Sequence, residues 1–248
     1  MGDSVAFLDI GFDRLTVEQA VVRLLFRAPG APFAYVATPN VDHLVNLADD
    51  PALATLYRDA WLTTCDSRIL ARLARHAGLD LPLCPGSDLT PALLDALSPG
   101  DRITIIGFTP EGADMLRARY PGLAIRQHIP PMGLRTDEAA QEAIADFVAA
   151  NPARFTFFAV GSPQQEVVAH RIAASGRAAG IGLCIGASLE FVTGEKRRAP
   201  RWMRQLSLEW AFRLIDEPGR LWSRYLVKGP RIFPIYLKWR RAERRRHG

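Results

Sequence analysis

The segment RFTFFAVGSPQQEVVAHRIAASG, residues 154–176, decides the fold class of this chain. Its first eight residues, RFTFFAVG, combine aromatic and β-branched side chains in a run that is typical of a buried strand. Gly161 then permits a tight turn, and Pro163 stands where a helix can begin. The remaining residues have helical spacing. The segment therefore predicts one strand followed directly by one helix.

The same alternation recurs through the first 194 residues. Further strand-like runs are VAFLDI, FAYVAT, WLTTCD, RITIIGF, LAIRQHI and IGLCIGAS, and helical spacing occupies residues 16–28, 41–60, 67–79, 110–120 and 136–151. Strands that alternate with helices of this length form β-α-β units, in which the strands run parallel and helices cover both faces of the sheet. We therefore predict an α/β fold with a Rossmann-like, mostly parallel sheet sandwiched by helices.

Charge divides the chain near Gly194. Residues 1–194 hold 15 Lys and Arg against 21 Asp and Glu, a net charge of −6, whereas residues 195–248 hold 16 against 5, a net charge of +11. The second part also contains four of the five tryptophans, Trp202, Trp210, Trp222 and Trp239. This break predicts an α/β domain over residues 1–194 and a basic, Trp-rich helical C-terminal appendage over residues 195–248.

Cysteine usage and hydropathy indicate the compartment. The three cysteines, Cys65, Cys84 and Cys184, are scattered and form no C-x-x-C pair, which favours buried free thiols in a reducing compartment over disulfides or a structural zinc. The first residues lack the basic region of a secretory signal, and the sequence has no uninterrupted apolar run of about 18 residues. We therefore expect a cytoplasmic protein.

Unusual residues stand at the predicted strand-to-helix junctions, where ligands bind in open parallel sheets. Thr38 and Asn40 follow one strand in VATPNVDHL, where Asn40 or Asp42 could cap the next helix and the junction could equally line a pocket. Asp66 follows another strand in TTCDSRIL, where it is equally suited to be a helix cap or a general base. These junctions leave both interpretations open.

Two further junctions are rich in glycine and glutamine. In VGSPQQE, backbone N–H groups after Gly161 would suit a phosphate or a sugar hydroxyl, and Gln165 adds neutral donors and acceptors. In CIGASLEF, Gly186 permits close approach of the backbone.

Several known site motifs are absent from the sequence. There is no G-x-G-x-x-G after the first strand, no G-x-x-x-x-G-K-[ST] and no G-x-S-x-G, which disfavours dinucleotide oxidoreductases, P-loop enzymes and α/β-hydrolases. No Asp-x-Asp pair or His/Asp/Glu cluster offers a divalent metal an obvious set of ligands. A nucleotide-sugar site without a metal remains open, because arginines and helix N-termini can neutralise a diphosphate.

Taken together, the junctions and the tail resemble one known family. TPNVDHL, the aspartate of TTCDSRIL, YPGLAI, VGSPQQE, IGASLEFVTGEKRRAPRWM and LEWAFRLIDEPGRLWSRYL occur in the order seen in the WecG/TagA/CpsF glycosyltransferases, glycosyltransferase family 26. The resemblance extends from about Phe7 to about Tyr225. The long string from the glycine-rich junction to the final R-Y is specific, whereas GSPQQE alone would be weak.

The resemblance implies an inverting, metal-independent enzyme that needs no cofactor. It would move a sugar from a UDP-sugar onto a polyprenyl-diphosphate-linked saccharide in bacterial surface polysaccharide or cell-wall polymer synthesis. Its partners would be these two substrates and a membrane surface, with no nucleic acid, and its location would be peripheral, on the cytoplasmic face of the plasma membrane. The oligomeric state stays open, a homo-oligomer included.

The resemblance also implies roles for individual residues. Asp66 matches the proposed general base, and Thr38 and Asn40 match residues that line the donor pocket, with Gln165 beside them. Gly161 and Gly186 belong to the matching glycine-containing junctions. The appendage arginines that would close over the site and meet the diphosphate are Arg213, Arg220 and Arg224. An arginine can neutralise a departing diphosphate without a metal.

The chain departs from the commoner family pattern in two places that we expect to lie at the pocket. Ser67 and Arg68 follow the aspartate where many members have glycine, and HIPPMGL, which includes residues 130–134, replaces a G-Y-F-like segment. A non-catalytic scaffold at the membrane surface, within a polysaccharide-assembly complex, is therefore the alternative function. Retention of Asp66 together with the other matched positions favours the enzyme.

The tail carries the membrane prediction. LVKGPRIFPIYLKWRRAERRR combines large apolar residues with a basic rim, which suits an anionic membrane surface better than nucleic acid. A merely solvated tail would explain the arginines after Arg240 but not Phe233, Tyr236 and Trp239. In RAPRWMRQLSLEWAFRL, residues 198–214, we expect Trp202 and Trp210 to contact the α/β domain or the lipid boundary.

Overall fold

A computed structural model describes the backbone of residues 3–247 and all side chains in that range except those of Arg201, Arg220 and His247. The strands are β1 Ser4–Phe7, β2 Ile10–Asp13, β3 Ala34–Ala37, β4 Leu62–Thr63, β5 Arg102–Gly107, β6 Ala124–His128, β7 Phe155–Ala159 and β8 Ile181–Cys184. The helices of the first part are α1 Val17–Phe26, α2 Val41–Asp49, α3 Ala54–Arg58, α4 Arg68–His76, α5 Gly86–Asp95, α6 Pro110–Arg119, α7 Glu138–Ala150, α8 Gln164–Ser175 and α9 Ser188–Thr193.

The central sheet has six parallel strands in the order β4-β3-β8-β7-β5-β6. Helices α1, α5, α6 and α9 pack on one face, and α7 and α8 pack on the other. The prediction of an α/β fold with a parallel sheet between helices is therefore confirmed. Phe155 and Phe157 of β7 face the first group of helices and Phe158 faces the second, which explains why this strand is apolar throughout.

The neighbouring strands β7 and β8 send their helices to opposite faces of the sheet, β7 into α8 and β8 into α9. Such a divergence opens a crevice beyond the carboxyl ends of the strands, and ligands of doubly wound sheets bind there. The junctions singled out in the sequence all lie at this edge.

Two local predictions were wrong, and one helix was missed. Residues 5–10 are not a single strand, because Leu8 and Asp9 adopt left-handed φ values of 51° and 63° and fold β1 onto β2 as a separate antiparallel hairpin. The predicted helix at 41–60 breaks after α2, where Asp50 caps a 3-10 turn, Pro51–Leu53, before α3. Helix α5 was missed because Gly86 and Pro91 weaken its helical pattern.

The appendage is helical, as predicted. It contains α10 Arg201–Gln205, α11 Glu209–Asp216, α12 Pro218–Trp222, a π-helical segment Ser223–Lys228, a 3-10 turn Gly229–Arg231 and α13 Ile232–His247. Among the described helices, none is both long and apolar enough to cross a bilayer.

Helix α13 packs back onto the hairpin and α2. Ile232 and Tyr236 are buried there, and the Tyr236 hydroxyl lies 2.7 Å from Nδ1 of His76. Trp239 meets the ring of Phe7 edge-on at 5.1 Å between centroids. Packing on the α/β domain therefore accounts for Tyr236 and Trp239, two of the three aromatic residues whose presence a merely solvated tail would not explain.

Tyr236 tests whether this docking stabilises the whole chain. We expect Tyr236→Ala to lower the free energy of unfolding by about 3–5 kcal/mol, because it empties a buried aromatic site. Tyr236→Phe, which removes only the contact with His76, should lower it by about 1 kcal/mol. Urea denaturation followed by circular dichroism measures both values. Leu237→Ala, at the exposed neighbouring position, is the control and should change stability by less than about 0.5 kcal/mol; equal effects at 236 and 237 would contradict the docking.

Candidate functional site

The junctions after β3, β4 and β8 are joined by direct hydrogen bonds. The Asp66 amide donates to the Pro39 carbonyl at 3.1 Å, which ties the β4 junction to the β3 junction. The buried Thr38 hydroxyl donates to the Cys184 carbonyl at 3.0 Å, across a sequence separation of 146 residues. Thr38 thus holds the ends of β3 and β8 together.

Asn40 is the N-cap of α2, so the capping interpretation is correct for this residue. Its Oδ1 accepts from the Asp42 amide at 3.0 Å and lies 2.9 Å from Nδ1 of His43. The backbone N–H of Asn40 also points to this His43 nitrogen, with 3.2 Å between the two nitrogen atoms. Asn40 is only partly buried, so it borders the junction as well as capping the helix.

For Asp66 the capping interpretation is wrong. The cap of α4 is Ser67, whose hydroxyl accepts from the Leu70 amide at 3.3 Å. Ser67, a departure from the commoner family pattern, therefore takes the structural task and leaves the Asp66 carboxylate available.

Gln165 is buried and connects two junctions. Its Oε1 accepts from the Gly186 amide at 2.9 Å, and its Nε2 donates to the buried Glu166 carboxylate at 2.8 Å. Gly161 has a φ of 76°, and its carbonyl accepts a hydrogen bond from the backbone N–H of Gln165 at 2.9 Å. This bond forms at the start of α8. Gly186 also has a positive φ, 54°. Gln165 therefore holds the crevice between β7 and β8 in place, because both ends of its amide are engaged by protein groups.

The pKa of Asp66 is raised to about 7. Burial is the largest cause, because it penalises the charged carboxylate. Arg213 and His43 act in the opposite direction and lower this pKa, while Glu209 and Asp88 raise it. A carboxyl group that titrates near neutrality in a cleft is suited to accept a proton.

The cleft around Asp66 contains charged residues that the sequence analysis did not select. Its charged lining consists of Asp66, Arg68, Asp88, Arg198, Arg204 and Glu209. Arg198 pairs with Asp88 at 2.6 Å and donates to the Ser87 hydroxyl at 2.9 Å. Arg198 lies in the R-A-P string of the segment that carried the family resemblance, so the sequence did contain a signal by which it could have been selected. Asp88 belongs to α5, the missed helix.

Two appendage arginines reach this region. Arg213 of α11 lies over the Phe191 ring of α9 at 4.9 Å, and its charge lowers the pKa of Asp66. Burial lowers the pKa of Arg213 itself, but interactions with Tyr225 and with Glu209 and Asp66 raise it above its usual value. Arg224, in the π-helical segment, lies 3.4 Å from Asp42 in the first turn of α2. Arg220 lies in α12, and its side chain is outside the described part of the chain.

The two tryptophans of residues 198–214 differ in exposure. Trp202 is exposed, and Trp210 is half-buried with its ring 6.2 Å from that of Tyr225. Trp210 therefore packs within the appendage, beside the residue that interacts with Arg213.

Residues 130–134 do not lie at the cleft, contrary to our expectation. They follow β6, whereas Asp66 follows β4, and these are the two outermost strands of the sheet. Five interstrand spacings of about 4.8 Å, roughly 24 Å in all, separate the two strands themselves. The segment after β6 turns back over the sheet, since Arg135 lies 3.6 Å from Asp50 at the end of α2, but none of residues 130–134 lines the cleft.

A second, larger hollow lies at the opposite edge of the sheet. Arg102, Ala124, Asn151 and Pro152 border it, near the amino ends of β5 and β6 and the end of α7. Arg126 contacts Asn151 there, and the described residues that line this hollow include no carboxylate and no histidine. The Asp66 cleft is the better candidate because it combines a perturbed carboxyl with arginines at the carboxyl edge of the sheet. Among the described residues, no group of three His, Cys, Asp or Glu side chains is arranged to hold a metal ion.

Comparison with known protein families gives one match of nearly full length. The model of the glycosyl transferase WecG/TagA/CpsF family matches residues 5–246. The match includes the Asp66 cleft and the appendage helices α10–α12.

The pKa of Asp66 predicts how stability depends on pH. In the unfolded chain an aspartate has a pKa of about 4. This carboxyl therefore leaves stability intact below that pH and lowers it progressively as the pH rises from there through about 7. We expect Asp66→Asn to lack this loss, so its melting temperature relative to the wild type should rise from pH 4 to pH 7 and then level off. Thermal unfolding at a series of pH values measures this difference. Asp114→Asn, at an exposed site on α6, is the charge-matched control; a parallel rise in that variant would contradict the assignment.

Proposed function

The chain belongs to the WecG/TagA/CpsF glycosyltransferase family, and we propose that it transfers a sugar from a UDP-sugar to a saccharide linked to polyprenyl diphosphate. In this proposal the reaction inverts the anomeric centre, needs no metal and serves the synthesis of a bacterial surface polysaccharide or cell-wall polymer. Asp66 carries the proposal, because it is a carboxyl with a pKa near 7 in an arginine-lined cleft.

The proposed step is a single displacement. The acceptor hydroxyl oxygen forms a bond to the anomeric carbon of the donor sugar, and the bond from that carbon to the β-phosphate oxygen breaks with its electrons leaving on UDP. Asp66 takes the proton of the hydroxyl. A base whose pKa lies near the operating pH is effective, because enough of it is ionised and it still accepts a proton readily.

The departing UDP needs positive charge, and the appendage supports a source for it. Arg213 acts electrostatically on Asp66, so a diphosphate in contact with Arg213 would lie close to the base. Arg224 lies beside the first turn of α2, and Arg220 joins them by the family resemblance alone. Guanidinium groups bind phosphate oxygens in pairs and stabilise the charge that develops on the leaving group.

The donor would occupy the crevice between β3, β7 and β8. Thr38 and Asn40 border it on one side, and the Gly161 turn with Gln165 and the Gly186 loop borders it on the other. Helix α8 begins there, and backbone N–H groups at a helix start attract phosphates and sugar hydroxyls.

A membrane surface would supply the lipid-linked acceptor. After α13 has docked through Ile232, Tyr236 and Trp239, it still exposes Phe233 and Leu237, one helical turn apart. Other exposed large apolar residues precede them, namely Trp222, Leu226 and Val227. Exposed basic residues flank this surface at Lys228, Lys238, Arg241, Arg244 and Arg245. This combination suits an anionic lipid surface, which for a cytoplasmic enzyme is the inner face of the plasma membrane.

Asp66→Asn tests the catalytic proposal. We expect transfer to fall by about 10²–10⁴-fold, because the amide cannot accept the proton, while UDP-sugar binding survives. In the wild type, kcat/KM should rise with pH up to about 7 and then level off, because the base must be ionised. UDP release from a panel of UDP-sugars with a lipid-linked acceptor measures the rate, and calorimetry measures binding. Near-normal turnover of the variant would remove Asp66 from the role of base, and a wild type that binds UDP-sugars but releases no UDP would favour the scaffold.

The membrane proposal is tested on the exposed face of α13. Phe233→Ser combined with Leu237→Ser should weaken binding to phosphatidylglycerol-containing vesicles at least about tenfold, since each apolar side chain buried in lipid contributes about 1.5–3 kcal/mol. Vesicle sedimentation measures this, with phosphatidylcholine vesicles for comparison. The matched control is Val22→Ser with Phe26→Ser, an equally spaced exposed pair on α1. Equal binding of both double variants would contradict the proposal.

A further inference from the structure

A buried pair of titratable side chains lies behind the site. Glu166, in the first turn of α8, has no exposed surface, and His43, in the first turn of α2, is 6% exposed. Nε2 of His43 lies 3.4 Å from Oε1 of Glu166, within ion-pair distance, and among the described residues neither this Nε2 nor Oε2 of Glu166 has a hydrogen-bond partner. A buried carboxylate is unfavourable unless a cation or hydrogen bonds compensate it, so the two side chains depend on each other.

The contact with Glu166 indicates that Nε2 of His43 carries a proton, because a bare Nε2 facing a carboxylate would bring two lone pairs together. Nδ1 of His43 faces two groups of Asn40, the backbone amide at 3.2 Å and Oδ1 at 2.9 Å. His43 occupies the third position of α2, where Glu or Gln usually returns a hydrogen bond to the cap. Histidine fills that place and reaches Glu166 as well.

The pair continues into the site in both directions. On one side, Glu166 accepts from Gln165, and Gln165 accepts from the Gly186 amide. On the other side, His43 contacts Asn40, which directly follows Pro39, the residue whose carbonyl accepts the Asp66 amide. One connected set of contacts therefore runs through the junctions of β3, β4, β7 and β8.

We propose that His43 and Glu166 are a positioning pair that fixes the orientations of Asn40 and Gln165, and thereby the donor pocket next to Asp66, without touching the substrate. This inference rests on the proposed function for its catalytic consequence only. A buried ion pair contributes little net stability compared with well-packed apolar residues. The neighbours of this pair, however, are the site residues themselves, and a misplacement of about 1 Å in a pocket costs roughly 10²-fold in rate.

Other titratable groups surround the pair. Tyr57 of α3, Tyr35 of β3 and Cys184 of β8 lie within reach of the Glu166 charge. Burial raises the pKa of each of these three groups, and the Glu166 charge raises it further, so they remain uncharged beside it. On the His43 side, the charge of His43 lowers the pKa of Asp66.

The variants His43→Gln and Glu166→Gln test the pair, with both changes combined as the third variant. Glutamine at position 43 keeps a residue suited to the cap of α2 but breaks the charge interaction with Glu166. We expect each single variant to lower kcat about 10- to 100-fold. The rising limb of the pH–rate profile should move to higher pH in His43→Gln, because the lowering effect of His43 on the pKa of Asp66 is lost. In the double variant two amides face each other, so thermal stability should recover while the displaced pH limb does not.

His170→Gln is the matched control, because His170 of α8 forms a similar pair with Asp59, at 2.9 Å, on a more exposed surface. It should leave kcat and the pH limb within about twofold of the wild type. If His43→Gln and Glu166→Gln lower only the melting temperature and leave kcat, KM and the pH limb unchanged, the pair is structural and the proposal is overturned.

Nuclear magnetic resonance separates this inference from the proposed function. If the wild type transfers no sugar, the reaction assignment fails, but the side-chain amide signals of Asn40 and Gln165 still report their orientation. We expect both signals to shift in His43→Gln and in Glu166→Gln but not in His170→Gln, and we expect the ring ¹⁵N spectrum to show the proton on Nε2 of His43. Unchanged amide signals, or a proton on Nδ1 alone, would overturn the positioning pair whatever the activity.

Discussion

The parallel direction of all six central strands is the constraint on which the site depends. It brings every strand-to-helix junction to one edge, so Thr38 can bond the Cys184 carbonyl across 146 residues and Asp66 can bond the Pro39 carbonyl. The divergence of α8 and α9 to opposite faces then opens the crevice that Gln165 spans by its bond to Gly186. An antiparallel sheet would distribute the same junctions over two edges.

The appendage combines two physical roles that its composition alone does not separate. One part, α11 and the π-helical segment, brings Arg213 and Arg224 to the junctions. The other part, α13, returns to the hairpin and buries Tyr236 against it. Because the two ends of the appendage both contact the α/β domain, its arginines are held near the cleft by packing as well as by charge. Phe233 and Leu237 of α13 do not take part in this packing and remain exposed.

Burial affects two carboxyl groups at this edge in different ways. For Asp66 it raises the pKa to about 7, which is the value that the proposed role of general base calls for. For Glu166 it makes the carboxylate dependent on His43 and Gln165, and this dependence restricts the orientations those residues adopt. Both buried carboxyl groups make the fold less stable than apolar residues at the same positions would. Such a cost is common where a site requires polar groups inside a fold.

The sequence by itself determined the fold class, the position of the appendage and the junctions that carry Thr38, Asn40, Asp66 and Gln165, because strand and helix periodicity and charge are local properties of a chain. It did not determine α5, whose glycine and proline conceal a helix that packing stabilises. Nor did it determine that residues 130–134 lie outside the lining of the cleft, which depends on how the segment after β6 folds. Only the tertiary structure decided that Ser67 caps α4 and leaves Asp66 free, that Arg198 and Asp88 line the cleft, and that His43 meets Glu166. Each of these depends on contacts between residues far apart in the chain, which no local pattern encodes.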